Sequence, residues 1–391
     1  METNLRVHGQ GVFLFGVTAI TDSSASFSIL DANGTDGLHV EFSQTNVLVN
    51  RIGALEPLRD PTNTKGLVAL NGAYYWFSLD SQNQTLMAGI GEARIETKTY
   101  KYQWNLADGN RHQNKLFLES LTTIQHPTAI RPIRILRDPI TLHVPLAVKD
   151  TDQLTMHDIA HAKFIPKANL STISQKLYHC ISGKAFKLNT PDFPKFAKAI
   201  EYSIATPGCW CNKKLQEKSQ EFSKDKPNLA ETYLRITLGQ NNGESPGIPY
   251  VMEIWPVGHY SPIHNHAGAE AIIRVLHGSI HVSLFPYLCA EEDSVKPFAV
   301  ADFKKDDVTW ISPTLNQTHQ LLNLQTNKET CITIQCYMYD EANKAHYDYF
   351  DYLDNKGNKQ QYEPDSDMDF VDFKKLMKRE WNARPRSWRC C

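Results

Sequence analysis

The pair His264 and His266 is the strongest chemical signal in this sequence. Residues two apart in a β-strand point to the same face, so both imidazoles can reach one metal ion. A third histidine, His319, follows between apolar segments. Three neutral nitrogen ligands leave coordination positions open, which suits Fe(II) chemistry with oxygen or another Lewis-acid role. The alternative is a chance His-x-His on a polar strand, but the flanking Gly258 and Gly278 and the third histidine favour a metal site.

Arg235 is the candidate residue in this sequence for binding a substrate carboxylate. It alternates with Leu234 and Ile236 in a predicted strand, which places it on the polar face. A guanidinium group matches a carboxylate through two parallel hydrogen bonds. The alternative role for an arginine at such a position is a surface ion pair.

The elements that must position these groups are predicted strands with alternating apolar and polar residues. Segments 280–285 and 332–339 alternate in the same way as segment 232–238. Polar groups on one face of several strands indicate a barrel whose interior holds a site. Two helices are predicted ahead of the barrel, with Thr172 and Thr190 as their capping residues.

The motif from Gly258 through His264 and His266 to Gly278 resembles the first cupin motif, and the region of His319 corresponds to the second. More narrowly, the stretch 233–337 resembles the cysteine dioxygenase family of cupin thiol dioxygenases. The resemblance covers about residues 168–355. The matching segments, in the family's order and with similar gaps, are Tyr233-Leu-Arg235, Trp255, 261–266, 276–278, Thr318-His319 and Cys336-Tyr337.

This resemblance implies an activity and a set of site residues. The three histidines would hold one Fe(II) ion, and the substrates would be O2 and L-cysteine, bound through its thiolate and amine and converted to cysteine sulfinic acid. Arg235 would bind the substrate carboxylate, and Tyr337 would orient the substrate and oxygen. Tyr233 and Trp255 would shape the pocket, although packing is an equally good role for both.

Three positions depart from the family pattern. Animal members carry a cysteine cross-linked to the tyrosine, and here Ala271 takes that position, so no cross-link is expected. The general cupin motif has a glutamate ligand three or four residues after His-x-His, which makes Glu270 a possible fourth ligand. Counting back from Gly278 favours Ala271 for that position instead. Gln335 stands where the family often has histidine, and an amide cannot relay a proton as an imidazole can.

The chain has 391 residues, a length that predicts two or three domains. Short strand patterns with turn residues, as at 31–34 and 71–72, predict a β-sandwich-like domain of unknown role over residues 1–150. Residues 168–355 are predicted to form the cupin (double-stranded β-helix) barrel with a short helical lead-in. Residues 361–391 form a tail with a predicted amphipathic helix. The expected fold class is therefore mainly β.

Composition limits the partners and the compartment. Lys and Arg total 41 against 43 Asp and Glu, so the net charge of −2 offers no overall basic surface and no nucleic-acid partner is expected. Without an apolar run of about 18 residues, no membrane span is expected. No signal peptide is recognisable, and eight cysteines indicate reduced thiols and a cytoplasmic location. Cys390 and Cys391 resemble a lipidated ending only weakly.

We therefore expect an Fe(II)-dependent thiol dioxygenase acting on L-cysteine. Two alternatives stay open. One is a dioxygenase for another small thiol, such as 3-mercaptopropionate or cysteamine. The other is a non-catalytic cupin used for binding or assembly.

Overall fold

The computed structural model describes residues 1–17, 24–68, 73–107, 109–223, 226–238, 250–288, 296–339 and 349–385. The chain divides into two compact units, Met1–Val144 and Pro145–Cys391. The expected turn at 71–72 and the terminal pair Cys390 and Cys391 lie outside the described residues. Both units are built mainly of strands, which confirms the mainly β class.

The first unit contains two five-stranded antiparallel sheets, in the orders β1-β9-β3-β4-β5 and β10-β2-β6-β7-β8. Phenylalanines from the two sheets pack against each other, with ring centroids 5.1 Å apart for Phe13 and Phe27 and 5.3 Å apart for Phe15 and Phe42. These edge-to-face contacts form the core of a sandwich. The elements are β1 Glu2–Asn4, β2 Gln10–Val17, β3 Ser24–Asp31, β4 Gly37–Ser43, β5 Val47–Arg51, β6 Tyr74–Asp80, β7 Thr85–Ile90, β8 Lys98–Gln103, α1 Arg111–Ser120, β9 Leu121–Gln125 and β10 Ile130–Leu136.

The second unit contains an eight-stranded sheet in the order β12-β11-β18-β15-β20-β14-β13-β23, a three-stranded sheet β17-β16-β19 and the hairpin β21-β22. Its strands are β11 Ala147–Lys149, β12 Phe164–Pro166, β13 Leu234–Thr237, β14 Tyr250–Trp255, β15 Glu270–His277, β16 Ser279–Leu284, β17 Ala299–Lys304, β18 Val308–Ile311, β19 His319–Leu322, β20 Cys331–Met338, β21 Phe350–Leu353, β22 Lys359–Tyr362 and β23 Met368–Asp369. Its helices are α2 Met156–Ala160, α3 Thr172–Ile181, α4 Phe196–Ala205, α5 Trp210–Glu217 and α6 Phe370–Ala383.

The antiparallel register of β13, β14, β20 and β15 places inward-facing residues in rows across the barrel wall. Arg235 lies opposite Glu253, Glu253 opposite Thr333, and Thr333 opposite Val275. Because side chains alternate along each strand, every second residue of these strands faces the barrel interior. The apolar part of that interior contains Trp255, Val275, Ile280, Val282, Leu284 and Phe303.

Helices cover the outside of the large sheet. Helix α3 begins at Thr172, but its capping side chain is Ser171, which accepts from the backbone N–H of Ser174. The second predicted cap was wrong, because α4 begins at Phe196 with Lys195 as its N-cap, and Thr190 lies in the preceding loop. Proline fixed the backbone near Thr190 without starting a regular helix there.

The terminal helix α6 is amphipathic. Its N-cap Asp369 accepts from the backbone N–H of Val371 at 2.8 Å, which satisfies one of the first free amides. Phe373 and Met377 are fully buried, and Phe373 packs on Phe196 of α4. Among the described residues, no helix is long and apolar enough to cross a membrane.

Candidate metal and substrate site

Two extended backbone segments bring the three histidines together. His264 lies between β14 and β15, in isolated bridges to His319 and Tyr352 rather than in a regular strand, so the expectation of a continuous strand was wrong. The backbones of His264 and His319 exchange two hydrogen bonds, of 3.0 and 2.9 Å. This pairing places His264, from the first motif, beside His319, the first residue of β19.

The side-chain nitrogens of His264, His266 and His319 converge. Among the described residues these three form a group that could hold a metal, with ligand atoms all within 4.8 Å of one another. The Nε2 atoms of His266 and His319 are 3.2 Å apart. Two nitrogens bound to one ion at about 2.1 Å lie about 3.0–3.4 Å from each other at the usual bond angles, so this spacing fits a shared ion.

Hydrogen bonds orient two of the rings for metal binding. The Nδ1–H of His264 donates to the carbonyl of Pro262 at 3.0 Å, and the Nδ1–H of His319 donates to the carbonyl of Asn316 at 3.1 Å. A carbonyl can only accept, so each Nε2 keeps its lone pair free for a metal. Nδ1 of His266 is buried and has no hydrogen-bond partner among the described residues.

All three imidazoles are neutral at neutral pH. Burial lowers the pKa of His264 to about 4 and that of His319 to about 3. Burial also holds the pKa of His266 well below its ordinary value, and the neighbouring His319 lowers it further. A neutral imidazole is the metal-binding form, so no proton has to leave before an ion binds.

Arg235 faces the same cavity, but it is not alone there. Its Nη1 donates to Oε1 of Glu253 at 3.1 Å, and both side chains are buried. Burial raises the pKa of Glu253, and the Arg235 guanidinium opposes that rise. The guanidinium also lies over the ring of Tyr337, 5.9 Å from its centroid. Arg235 is therefore part of a buried ion pair and is not the surface arginine of the alternative interpretation.

Gln335 connects this ion pair to Tyr337. Its amide Nε2 donates to Oε2 of Glu253, and its Oε1 accepts from the Tyr337 hydroxyl. The Tyr337 ring in turn stacks on His266, with centroids 5.4 Å apart. An amide with one donating and one accepting end suits a position between a carboxylate and a hydroxyl. The residue that departs from the family pattern thus has a hydrogen-bonding role in this chain.

A cavity of about 60 Å³ joins these groups. On a volume of roughly 10–15 Å³ per water-sized group, it holds a small molecule. One wall carries the histidines, Arg235 and Tyr337, and the rest is mainly apolar. Tyr233 and Trp255 line the cavity and stack on each other with centroids 4.2 Å apart, so their packing role is visible directly.

Glu270 lies apart from the histidine group. Its Oε2 accepts from the Ser174 backbone N–H at 3.1 Å, from the Ser174 hydroxyl at 2.6 Å and from the Ser171 hydroxyl. The carboxylate thus faces the N-terminus of α3 on the outer side of the sheet, where the helix dipole favours negative charge. Ala271, the next residue, lies opposite Tyr337 in the β15–β20 pair.

Sequence reasoning missed Glu253, which occupies the centre of the polar wall. The available signal was a single acidic residue in the largely apolar segment 250–255, which was not predicted as a strand. A buried carboxylate needs a partner, so that pattern indicates an interior ion pair. Asn316 was also missed, although its carbonyl orients His319.

No protein-family model matches the chain. Among solved structures it is similar to the cupin domain of Cnp3 from Schizosaccharomyces pombe, at 17% identity over 28% of this chain and 65% of that chain, with a TM-score of 0.22. It is similar to a cupin superfamily protein from Desulfitobacterium hafniense, at 14% identity over 28% of this chain and 79% of that chain, with a TM-score of 0.20. It is also similar to the DMSP lyase DddQ from Ruegeria pomeroyi, at 17% identity over 28% of this chain and 49% of that chain, with a TM-score of 0.21.

The chain spans less than two thirds of the length of two of these three structures. None of the three is described as a cysteine dioxygenase.

Proposed function

We propose that the second unit is an Fe(II)-dependent thiol dioxygenase that oxidises L-cysteine to cysteine sulfinic acid. The observation that carries the proposal is the convergence of three neutral histidines, of which His266 and His319 are buried, on a cavity that Arg235 and Tyr337 also line. Neutral nitrogen ligands leave an ion with net positive charge, which a substrate thiolate offsets.

The donor set would suit Fe(II), because His264, His266 and His319 would hold the ion and leave coordination positions open for substrates. The free Nε2 lone pairs of His264 and His319 support this fit, as does the orientation of both rings by backbone carbonyls. When bound, Fe(II) supplies the capacity to activate O2 toward a thiolate. The overall reaction balances without a further reductant, since the sulfur loses four electrons and O2 accepts four.

The protein's own residues bind and orient the thiol. Arg235 offers its guanidinium to the carboxylate, and Tyr337, which lines the same cavity, orients the substrate and oxygen. The apolar wall, which includes Val282 and Leu284, excludes water from the reacting sulfur. Exclusion of water strengthens each charge interaction inside the cavity.

Two alternatives differ in what they demand of this cavity. A dioxygenase for 3-mercaptopropionate or cysteamine would use the same histidines with a different head-group contact. A non-catalytic cupin used only for assembly would have no need for polar side chains in the barrel interior, where burying them is costly. The buried Arg235 and Glu253 therefore favour a ligand-binding interior.

A cytoplasmic location is part of the same proposal. Five free cysteines occur among the described residues, and this supports a reducing compartment.

The first test compares His264→Ala with His281→Ala after reconstitution with Fe(II). His281 is bonded to Asp302 on the outer face of β16 and makes a matched control. We expect His264→Ala to lose bound iron and cysteine-dependent oxygen uptake, and His281→Ala to keep both. Full oxygen uptake by His264→Ala would contradict the proposal. Bound iron without uptake for any thiol, in the unaltered protein, would favour a non-catalytic cupin.

A further inference from the structure

A second cavity, of about 480 Å³, lies on the outer side of the large sheet. Arg274 and Leu276 of β15 line it, whereas the alternating residues Ile273 and Val275 line the histidine cavity on the other side of the same strand. The other lining residues come mainly from the end of α3, segment 182–189 and the turn between β17 and β18. The two cavities share no lining residue in the described part of the chain, so the outer cavity is separate from the proposed catalytic site.

Positive charge dominates the lining of this outer cavity. Three lysines and one arginine stand against a single carboxylate, Asp306, among the described residues that line it. That carboxylate already pairs with Arg274, whose Nη2 donates to Oδ1 of Asp306 at 2.6 Å. The lysines Lys184, Lys187 and Lys305 are exposed, and none of their ammonium groups has a hydrogen bond or ion pair with another described residue. The net charge of the lining is therefore that of three unpaired lysines.

Arg274 gives the cavity a fixed shape. It is buried, and its Nη1 donates to the carbonyls of Ile181 at 2.8 Å and Gly183 at 3.0 Å. These bonds hold the end of α3 and the following loop against β15. His277, which also lines the cavity, has Glu201 as its hydrogen-bond partner. A preformed recess with low-dielectric walls concentrates the field of its charges, so it attracts anions more strongly than an open lysine-rich surface does.

The rest of the lining includes apolar and aromatic side chains, namely Tyr178, Phe186, Leu188, Leu276 and Val308. The volume of about 480 Å³ is typical of small-molecule sites and exceeds what one inorganic anion needs. A phosphate group carries nearly two negative charges at neutral pH, and lysine is a common partner for it. An organic phosphate with an apolar or aromatic body therefore matches both parts of the lining.

We propose that the outer cavity is a second binding site, which takes a small soluble organic phosphate. Lys184, Lys187 and Lys305 bind the phosphate, and the apolar wall contacts the organic body. The site is independent of the thiol chemistry proposed for the barrel interior.

The competing interpretation is that these three lysines only keep the surface soluble. Lysines with that role would contribute to phosphate binding only through the net charge of the protein. Their removal would then weaken binding no more than the removal of three other exposed lysines. A comparison of two variants with the same net charge therefore separates the two interpretations.

The experiment is a calorimetric titration of phenyl phosphate into the full chain as purified, at low salt. The test variant replaces the three lysines of the cavity with glutamine: Lys184→Gln, Lys187→Gln and Lys305→Gln. The control variant replaces three exposed lysines that do not line the cavity: Lys198→Gln, Lys304→Gln and Lys328→Gln. Lys304 is a close match, because it precedes Lys305 in the chain.

We expect the test variant to bind phenyl phosphate about tenfold or more weakly, which corresponds to the loss of one hydrogen bond to a charged group. The control variant should bind as the unaltered protein does. Equal weakening in both variants overturns the inference, and so does the absence of phenyl phosphate binding by the unaltered protein.

Asp306→Asn tests the same site in the opposite direction. It removes the one negative charge from the described lining and frees Arg274 from its ion pair, so phenyl phosphate should bind more tightly. The φ angle of Asp306 is 75°, a left-handed conformation that asparagine also adopts readily, so the backbone should be retained. Equal or weaker binding by this variant contradicts the charge argument.

Two further probes test the class of ligand. Inorganic phosphate should bind more weakly than phenyl phosphate, because it has nothing to place against the apolar wall, and equal affinity contradicts an organic ligand. Phosphatidylcholine vesicles with and without phosphatidic acid test whether the phosphate comes from a lipid. Binding to the phosphatidic acid vesicles without binding of phenyl phosphate contradicts a soluble ligand.

Discussion

The Nε2 atoms of His266 and His319 lie 3.2 Å apart although the two residues are 53 positions apart in the chain. The backbone exchange between His264 and His319 enforces this approach, because it fixes both segments side by side. Three neutral imidazoles in this arrangement, two of them buried, bind protons weakly and can bind a metal cation together.

Metal binding should stabilise the second unit and should weaken in acid, because the same histidines then take up protons. The metal-free protein should also lose stability in acid. The pKa values of His264 and His319 fall from 6.5 to about 4 and about 3 on folding. Folding stability without metal is therefore greatest above about pH 6.5 and declines as the pH falls toward 4, because the unfolded chain binds protons first. The free energy of unfolding should fall by about 3 kcal/mol for each of these two histidines.

Urea unfolding of the metal-free protein at neutral pH and near pH 4.5 measures this dependence. The variant His264→Asn removes one titrating group and should show a shallower decline. A free energy of unfolding that does not change over this range would contradict the burial of neutral imidazoles.

The ion pair between Arg235 and Glu253 predicts a non-additive pair of substitutions. Arg235→Met alone leaves a buried carboxylate without its cation and should lower the free energy of unfolding by about 3–5 kcal/mol. The double variant Arg235→Met with Glu253→Gln should lose less, because neither charge remains. Chemical denaturation of both variants tests this, and a double variant less stable than the single one would contradict it.

Glu270 should contribute to stability and leave metal binding unchanged. Its Oε2 accepts from Ser171 and Ser174 at the start of α3. Glu270→Ala leaves those buried donors without a partner and should cost about 1–3 kcal/mol. The iron content of the purified variant should equal that of the unaltered protein. Loss of iron with normal stability would instead make Glu270 a ligand.

Tyr337→Phe should reduce turnover and keep the fold. The phenyl ring can still stack on His266, but Gln335 loses the hydroxyl that it accepts from. We expect sulfinic acid formation to fall about tenfold or more, which corresponds to the loss of one hydrogen bond in the transition state. Steady-state rates with L-cysteine measure the effect. An unchanged rate would exclude the hydroxyl from the reaction.

Much of this architecture could be predicted from local patterns. Strand alternation predicted the barrel wall, and the sequence of the tail predicted the amphipathic helix α6, in which Phe373 and Met377 are buried. The helix start at Thr190 failed because Thr-Pro is equally compatible with a turn, and only tertiary packing decides between them.

The candidate site was predictable at the residues that resemble a motif, and not at those that depend on register. Glu253 meets Arg235 because β13 and β14 pair in one register, which no local pattern specifies. Glu270 and Ala271 face opposite sides of the same strand, so a shift of one residue would exchange their roles.

The decisive measurement for thiol dioxygenation is the mass of the product formed from L-cysteine by the Fe(II)-loaded protein in isotopically labelled O2. We predict cysteine sulfinic acid with both oxygen atoms derived from O2. Arg235→Ala should greatly reduce its formation. Product with label in one oxygen or none, or no product despite bound iron, would contradict thiol dioxygenation by this site.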